Sequence, residues 1–337
     1  MIVCSPRFHE HMTPPGHPER PERAAVLDSI SNSRRAEGKV VREATPATRE
    51  QLARVHTAEH IARLAGTRGT AAMLDPDTFT SPESYDVALL AAGAAVQAAD
   101  HAVRAKEPAF ALVRPPGHHA ERDKAMGFCL FNNVAVAGAA ARASGLDRVA
   151  IVDIDVHHGN GTQWIFYDDP TVLYVSTHQY PFYPGTGAAT ETGRGVGEGL
   201  TVNIPLEAGA TDADFDQVYS SVAVPVLEQF APQLTLISAG YDAHEADPLA
   251  SMRMSAAGYA RIIARLRMAA EKTGALALVT EGGYDLGALR DCLLATFEVL
   301  DADVVTTTGL ETRTPPTGRG ERAVRAVRAA HSAFWRL

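Results

Sequence analysis

Val149-Ala-Ile-Val-Asp153-Ile-Asp155-Val-His157-His158-Gly-Asn160-Gly161 is the stretch on which the fold turns. Its first half is apolar without alternation and rich in β-branched residues, which is how a strand buried on both faces reads. Its second half is polar and glycine-rich. In an extended chain Asp153, Asp155 and His157 project to one side, because side chains alternate. Two carboxylates and an imidazole crowded at the end of a buried strand call for a cation.

Four further runs read the same way: Ala109–Val113, Val172–Ser176, Leu234–Ser238 and Ala275–Thr280. Between the runs lie helical stretches. Ser84–Arg104 follows the start signal Ser81-Pro82-Glu83, and Asn132–Ala143, Asp214–Gln229 and Ser255–Lys272 are the others. Strand–helix alternation predicts an α/β fold with a mostly parallel sheet. The stretch 301–320 is rich in Thr, Pro and Gly and reads as a surface loop. The tail 321–337 reads as a helix that docks on the core through Ala323, Val327, Ala330 and Phe334. With no internal repeat or low-complexity linker, residues 1–337 are expected to form one domain.

Four of the five runs end in a polar cluster. Ala109–Val113 leads into Arg114-Pro-Pro-Gly117-His118-His119, Leu234–Ser238 into Ala-Gly-Tyr241-Asp242, and Ala275–Thr280 into Glu281-Gly-Gly-Tyr284; the fourth is the stretch quoted first. In open α/β sheets the carboxyl ends of the strands line the ligand crevice, so the four clusters predict one shared pocket. Asp155, His157 and Asp242 would hold a divalent metal and leave a position open for water and substrate. Asp153 would orient a histidine. His118 and His119 would exchange protons with water and a leaving group, and Tyr284 would donate to a developing oxyanion. Taken singly, each of these residues reads as a cap, a turn or a satisfied polar group. Their joint appearance at four strand exits is what points to chemistry.

The 337 residues carry 31 Lys and Arg against 40 Asp and Glu, a formal charge of −9, which argues against a nucleic-acid partner. There is no membrane-length apolar run and no secretory leader pattern, and the three cysteines are widely spaced, as expected of a cytoplasmic protein with no membrane partner. Thirteen histidines are informative only where they cluster, at 118–119 and 157–158.

These motifs resemble the zinc-dependent histone deacetylase family, which includes bacterial acetylpolyamine amidohydrolases. The likeness runs through His17–Arg23, Arg114–Ala120, Gly127–Asn133, Asp153–Gln163, Tyr183–Gly187, Ser238–Asp242 and Glu281–Tyr284. It implies a three-layer α/β/α arginase/deacetylase fold around an eight-stranded sheet. It implies zinc at Asp155, His157 and Asp242, and proton transfer by His118 and His119 with Asp153 behind them. Tyr284 would polarise the acyl carbonyl. A structural potassium ion is implied at the carbonyls of Asp153, Asp155 and His157 with Ser176. Phe128 and Tyr183 would wall the substrate channel, with Gly127, Gly282, Leu249 and the rim residue Asp77 also at the substrate.

There are departures. Asn160 stands where class I members carry an aspartate paired with the second histidine and class II-like members carry asparagine, so His119 is expected to lack an anionic partner. Leu249 stands where polyamine-selective members place a glutamate. The resemblance implies a deacetylase acting on an acyl-lysine peptide or protein, or on a small acylated amine such as an acetylpolyamine, with a homo-oligomer allowed. An arginase-type ureohydrolase would need more bridging carboxylates, and a non-catalytic acyl-amine binder would not need every catalytic role filled.

Overall fold

The computed structural model describes residues 1–307 and 315–337. The apolar runs become strands that are buried end to end. In chain order the strands are β1 (Ile2–Cys4), β2 (Val41–Glu43), β3 (Ala72–Asp75), β4 (Thr78–Thr80), β5 (Ala109–Ala111), β6 (Val149–Asp153), β7 (Val172–Gln179), β8 (Thr201–Leu206), β9 (Leu234–Ala239) and β10 (Ala275–Thr280). Eight of them form one sheet in the order β2-β1-β5-β10-β9-β6-β7-β8, and every pairing in it is parallel. β3 and β4 make a separate antiparallel hairpin.

The helices are α1 (Glu22–Ala36), α2 (Arg49–Ala53), α3 (Ala58–Ala65), α4 (Ser84–Ala105), α5 (Asn133–Ala143), α6 (Asn160–Phe166), α7 (Asp212–Val218), α8 (Val224–Phe230), α9 (Ala256–Glu271), α10 (Leu286–Asp301) and α11 (Arg319–His331). α4 and α5 pack on each other over β5, β10, β9 and β6. α1, α10, α9 and α7 form a second contiguous row, so helices cover both faces of the sheet and the apolar core lies between the layers. No helix of the described residues is long and apolar enough to cross a membrane.

The expected α/β/α fold is the observed one, and the observed departures have local causes. The helix expected over Asp214–Gln229 is α7 and α8 joined by a π-helical turn, Tyr219–Ala223. Pro225 offers no N–H to the helical ladder, and the wider turn absorbs the gap ahead of it. β8 reads poorly in sequence because Asn203 and Pro205 interrupt it. It survives as an edge strand, the place where a proline costs least. Residues 308–314, part of the expected loop 301–320, lie outside the described residues. The tail helix starts two residues earlier than expected and stops at His331. Beyond it Phe334 lies over Gly199, where an added Cβ would come within 2.6 Å of its ring, and the Trp335 indole N–H donates to the Gly199 carbonyl. These contacts draw the last residues off the helix axis. The docking stripe is Ala323, Val324, Val327 and His331, while Phe334 is partly exposed.

Two buried histidines make stability depend on pH. Burial pushes His56 down to about 3, with His60 beside it adding to the effect, and pushes His331 down to about 4. Neither ring nitrogen of His331 has a hydrogen-bond partner among the described residues. The unfolded chain takes up protons near the ordinary value of 6.5 and the folded chain does not. The stability present above that pH is therefore lost as pH falls from about 6.5 towards 4, by at most about 1.4 kcal/mol per pH unit for each histidine. His331→Leu is expected to unfold at higher urea than the parent at pH 5, with the gap narrowing by pH 8. A gap that does not change with pH would count against this account.

Candidate active site

The sheet order makes neighbours of β5, β10, β9 and β6, whose exits carry the four polar clusters. On β6 and β9 the register pairs Asp153 with Ser238, so Asp155 and Asp242 leave the sheet side by side. Asp155, His157 and Asp242 each offer one ligand atom, and these atoms lie within 4.8 Å of one another. His157 Nδ1 is 3.2 Å from Asp155 Oδ1 and 3.1 Å from Asp242 Oδ2. All three residues are buried.

The backbone closes round this group. Gly282 N–H donates to Asp155 Oδ2 (2.8 Å) and Val156 N–H to Asp242 Oδ1 (2.8 Å). A Cβ on Gly240 would lie 2.0 Å from Asp155 Oδ2, and one on Gly282 2.3 Å from Asp242 Oδ2, so glycine is required at both. Burial and the Asp155 charge push Asp242 up to about 7. Against the cost of burial, hydrogen bonds to Asp155 and Asp242 push His157 up to about 10. Two carboxylates and one imidazole this close together are a donor set that fits a divalent cation.

The tandem histidines stand next to this group in unequal surroundings. His118 Nδ1 is 3.0 Å from Asp153 Oδ2, and Asp153 also accepts from Tyr174 Oη (3.1 Å). Although burial opposes its charged form, Asp153 and Asp155 hold His118 well above the usual imidazole range. His119 Nδ1 is 2.8 Å from Asn160 Oδ1. Burial, then the nearby His118 and His157, hold it well below that range.

A cavity of about 80 Å³ above the group is lined by Asp77, His119, Gly127, Phe128, His157, Tyr183, Leu249 and Tyr284. Tyr183 meets the His119 ring edge-on at 5.2 Å, and Phe128 meets Tyr284 at 5.7 Å. Burial holds the Tyr284 phenol protonated. Of the expected substrate residues, Gly282 lies beneath the cluster through its bond to Asp155. Ser176, expected at the potassium ion, pairs with Asp153 across β6 and β7 and contacts His178 Nδ1 at 2.9 Å.

Several supporting residues were not foreseen. Glu281, wholly buried, accepts from Gly117 N–H (2.6 Å), His118 N–H (3.2 Å) and Ser238 Oγ (2.9 Å), which ties the histidine turn to β9 and β10. Burial pushes its carboxyl up to about 7. Asp247 accepts from Tyr284 N–H (2.7 Å). The Arg23 guanidinium lies 5.1 Å from the Tyr284 ring centroid, donates to the Gly283 carbonyl (2.8 Å), and shares Glu19 with Arg114. Glu281 and Arg23 stood inside quoted motifs. Glu281 directly follows an apolar strand, an odd place for a charged residue that could have marked it; Arg23, in the first turn of α1, carried no such signal.

Residues 17–300 match the histone deacetylase domain. The chain belongs to the histone deacetylase family. A probable deacetylase of Archaeoglobus fulgidus is 43% identical over 295 residues, covering 86% of this chain and 82% of that protein. A histone deacetylase-like amidohydrolase of Pseudomonas aeruginosa is 42% identical over 293 residues, covering 85% and 77%. The crystal structure of the HDA15 HD domain superposes with a TM-score of 0.90 at 37% identity, covering 99% of this chain and 94% of that one. Membership supports a deacetylase or amidohydrolase activity, and with it a hydrolase.

Gly127 bears directly on this family site. Its φ is +57°, and an added Cβ would lie 2.4 Å from His119 Cδ2. Gly127→Ala is expected to push the imidazole aside. The result would be a loss of about a hundredfold in kcat on an acetylated substrate, with a folded chain by circular dichroism. Activity within twofold of the parent would show that the ring does not need this place.

Proposed function

We propose that the protein is a zinc-dependent deacetylase that removes acetyl groups from the ε-amine of lysine. The observation that carries this reading is the grouping of Asp155, His157 and Asp242, with His118 and His119 beside them, against a small aromatic-walled cavity that His119, His157 and Tyr284 line. Asp155, His157 and Asp242 would hold zinc, which would supply positive charge to polarise the acyl carbonyl and acidify water.

The chain's own groups do the rest. Phe128 and Tyr183 wall the cavity and hold an uncharged aliphatic stem away from water. His119, low in proton affinity, takes a proton from the attacking water. Tyr284 donates its phenolic hydrogen bond to the oxygen on which charge develops. A C–O bond forms at the acyl carbon and the C–N bond breaks. His119 returns the proton to the departing amine nitrogen, while His118, held by Asp153, keeps positive charge beside it. Acetate and a free amine result.

Potassium is proposed at the carbonyls of Asp153, Asp155 and His157 with Ser176, a site supported by the β6–β7 register that sets Asp153 beside Ser176. Asp77 and Leu249 are proposed as substrate contacts at the cavity rim. The apolar Leu249 favours an acyl-lysine stem over a polyamine. Residues 1–337 are proposed to act as one catalytic unit, since α11 packs on α7 and β8.

Zinc-loaded protein is expected to cleave an acetyl-lysine peptide faster than acetylputrescine or acetylspermidine, with about one zinc per chain by elemental analysis. Tyr284→Phe and His119→Ala should each lower kcat by about a thousandfold or more while leaving the unfolding transition in place. Near-parental turnover by both variants would sink the assignment. Faster cleavage of acetylpolyamines would overturn the substrate class, and two manganese ions per chain would overturn the metal.

A further inference from the structure

His119 can accept a proton only if the ring nitrogen facing the cavity is unprotonated. Its other nitrogen, Nδ1, meets Asn160, whose side chain can offer an imidazole either its oxygen or its NH2 group. The two choices demand opposite tautomers of the ring, and Asn160 by itself does not decide between them.

Glu121 does. Its Oε1 is 2.7 Å from Asn160 Nδ2. A carboxylate only accepts, so the amide NH2 must face Glu121 and the amide oxygen must face His119. His119 Nδ1 then carries the proton, and the Nε2 lone pair is left free. The only other contact of the NH2 group among the described residues is the Met126 thioether at 3.4 Å, a weak acceptor that favours the same orientation. The backbone of Glu121 is held independently, since its carbonyl accepts from His56 Nδ1 (2.9 Å) and its N–H donates to the Lys124 carbonyl (2.9 Å). The carboxylate is therefore delivered to Asn160 by a segment that is already anchored.

We propose that Glu121 is a positioning residue that fixes the tautomer and orientation of His119 through Asn160. It acts as the anion that His119 lacks at first contact. The inference rests on the reading of His119 as the proton acceptor. Asp153 contacts His118 directly, whereas an amide stands between Glu121 and His119. Orientation passes along the relay without a carboxylate coming to hydrogen-bond distance of the His119 ring.

The test uses zinc-loaded full-length chain carrying E121A, E121Q, N160D and the N160D/E121A pair. E121A is expected to lower kcat on an acetyl-lysine peptide by about 10- to 100-fold, with KM within about twofold. E121Q keeps an acceptor oxygen and should recover part of that loss. In the N160D background His119 has its own carboxylate, and the same E121A change should cost at least tenfold less than in the parent. Nitrogen-detected NMR should find His119 protonated at Nδ1 in the parent and a mixture of tautomers in E121A. Unchanged kcat with an unchanged tautomer in E121A would overturn the proposal. So would an equal E121A loss in both backgrounds, since that would mean a role that bypasses Asn160. If the parent cleaves no acetylated amine, the functional reading fails. The tautomer comparison then still decides whether Glu121 orients the ring.

Discussion

Four carboxylates, Asp153, Asp155, Asp242 and Glu281, are buried within one layer at the carboxyl edge of the sheet, and the surrounding architecture answers to that fact. Removing an ion from water costs several kcal/mol even after relaxation, so no such group can be kept without compensation. Each has its own. Glu281 takes two backbone N–H groups and a serine hydroxyl, and Asp153 takes His118 and Tyr174. Asp155 and Asp242 accept from the Gly282 and Val156 amides and still crowd one imidazole. Their ligand atoms and that of His157 lie close enough to form a donor set that a divalent cation would fit, and this is what turns a packing problem into a candidate catalytic centre.

The glycines follow from the carboxylates. Gly240 and Gly282 sit where any side chain would strike Asp155 or Asp242, and Gly127 where one would strike His119. Small residues here are the space into which the acids and imidazoles fit. The arginines follow as well. Arg23 braces the backbone that carries Tyr284, and Glu19 balances Arg23 and Arg114 in a second buried network behind the first. Removing a member of either network would leave its partners charged and dry, which costs more than the net value of any one contact.

Much of this was legible in the linear chain. The apolar start of 149–161 and the runs Leu234–Ser238 and Ala275–Thr280 read as buried strands because they are mostly apolar without alternation, and their ends read as a site because acids, imidazoles or a tyrosine follow at once. The period of two along Asp153, Asp155 and His157 placed them on one side before any packing was known. Less legible was everything held by partners distant in sequence. Glu281 looked like the first residue of a glycine turn, since its partners lie more than forty residues away at Ser238 and more than one hundred and sixty away at Gly117. His119 seemed to lack an anion because Asn160 replaced one, whereas Glu121 supplies it at one remove. The split between α7 and α8 was missed because an amphipathic pattern continues across Pro225 even where the hydrogen-bond ladder cannot.

The sequence by itself determined the alternation of strand and helix, the parallel sheet, and the residue types available for chemistry, because these depend on local hydrophobic period and on side-chain identity. Only the tertiary structure decided that β5, β10, β9 and β6 stand next to one another, an order unlike that of the chain. Adjacency across a sheet is set by crossover connections and by the layers of helices that must cover both faces, and these act between residues far apart in sequence. Four separate polar clusters became one site through that choice of neighbours.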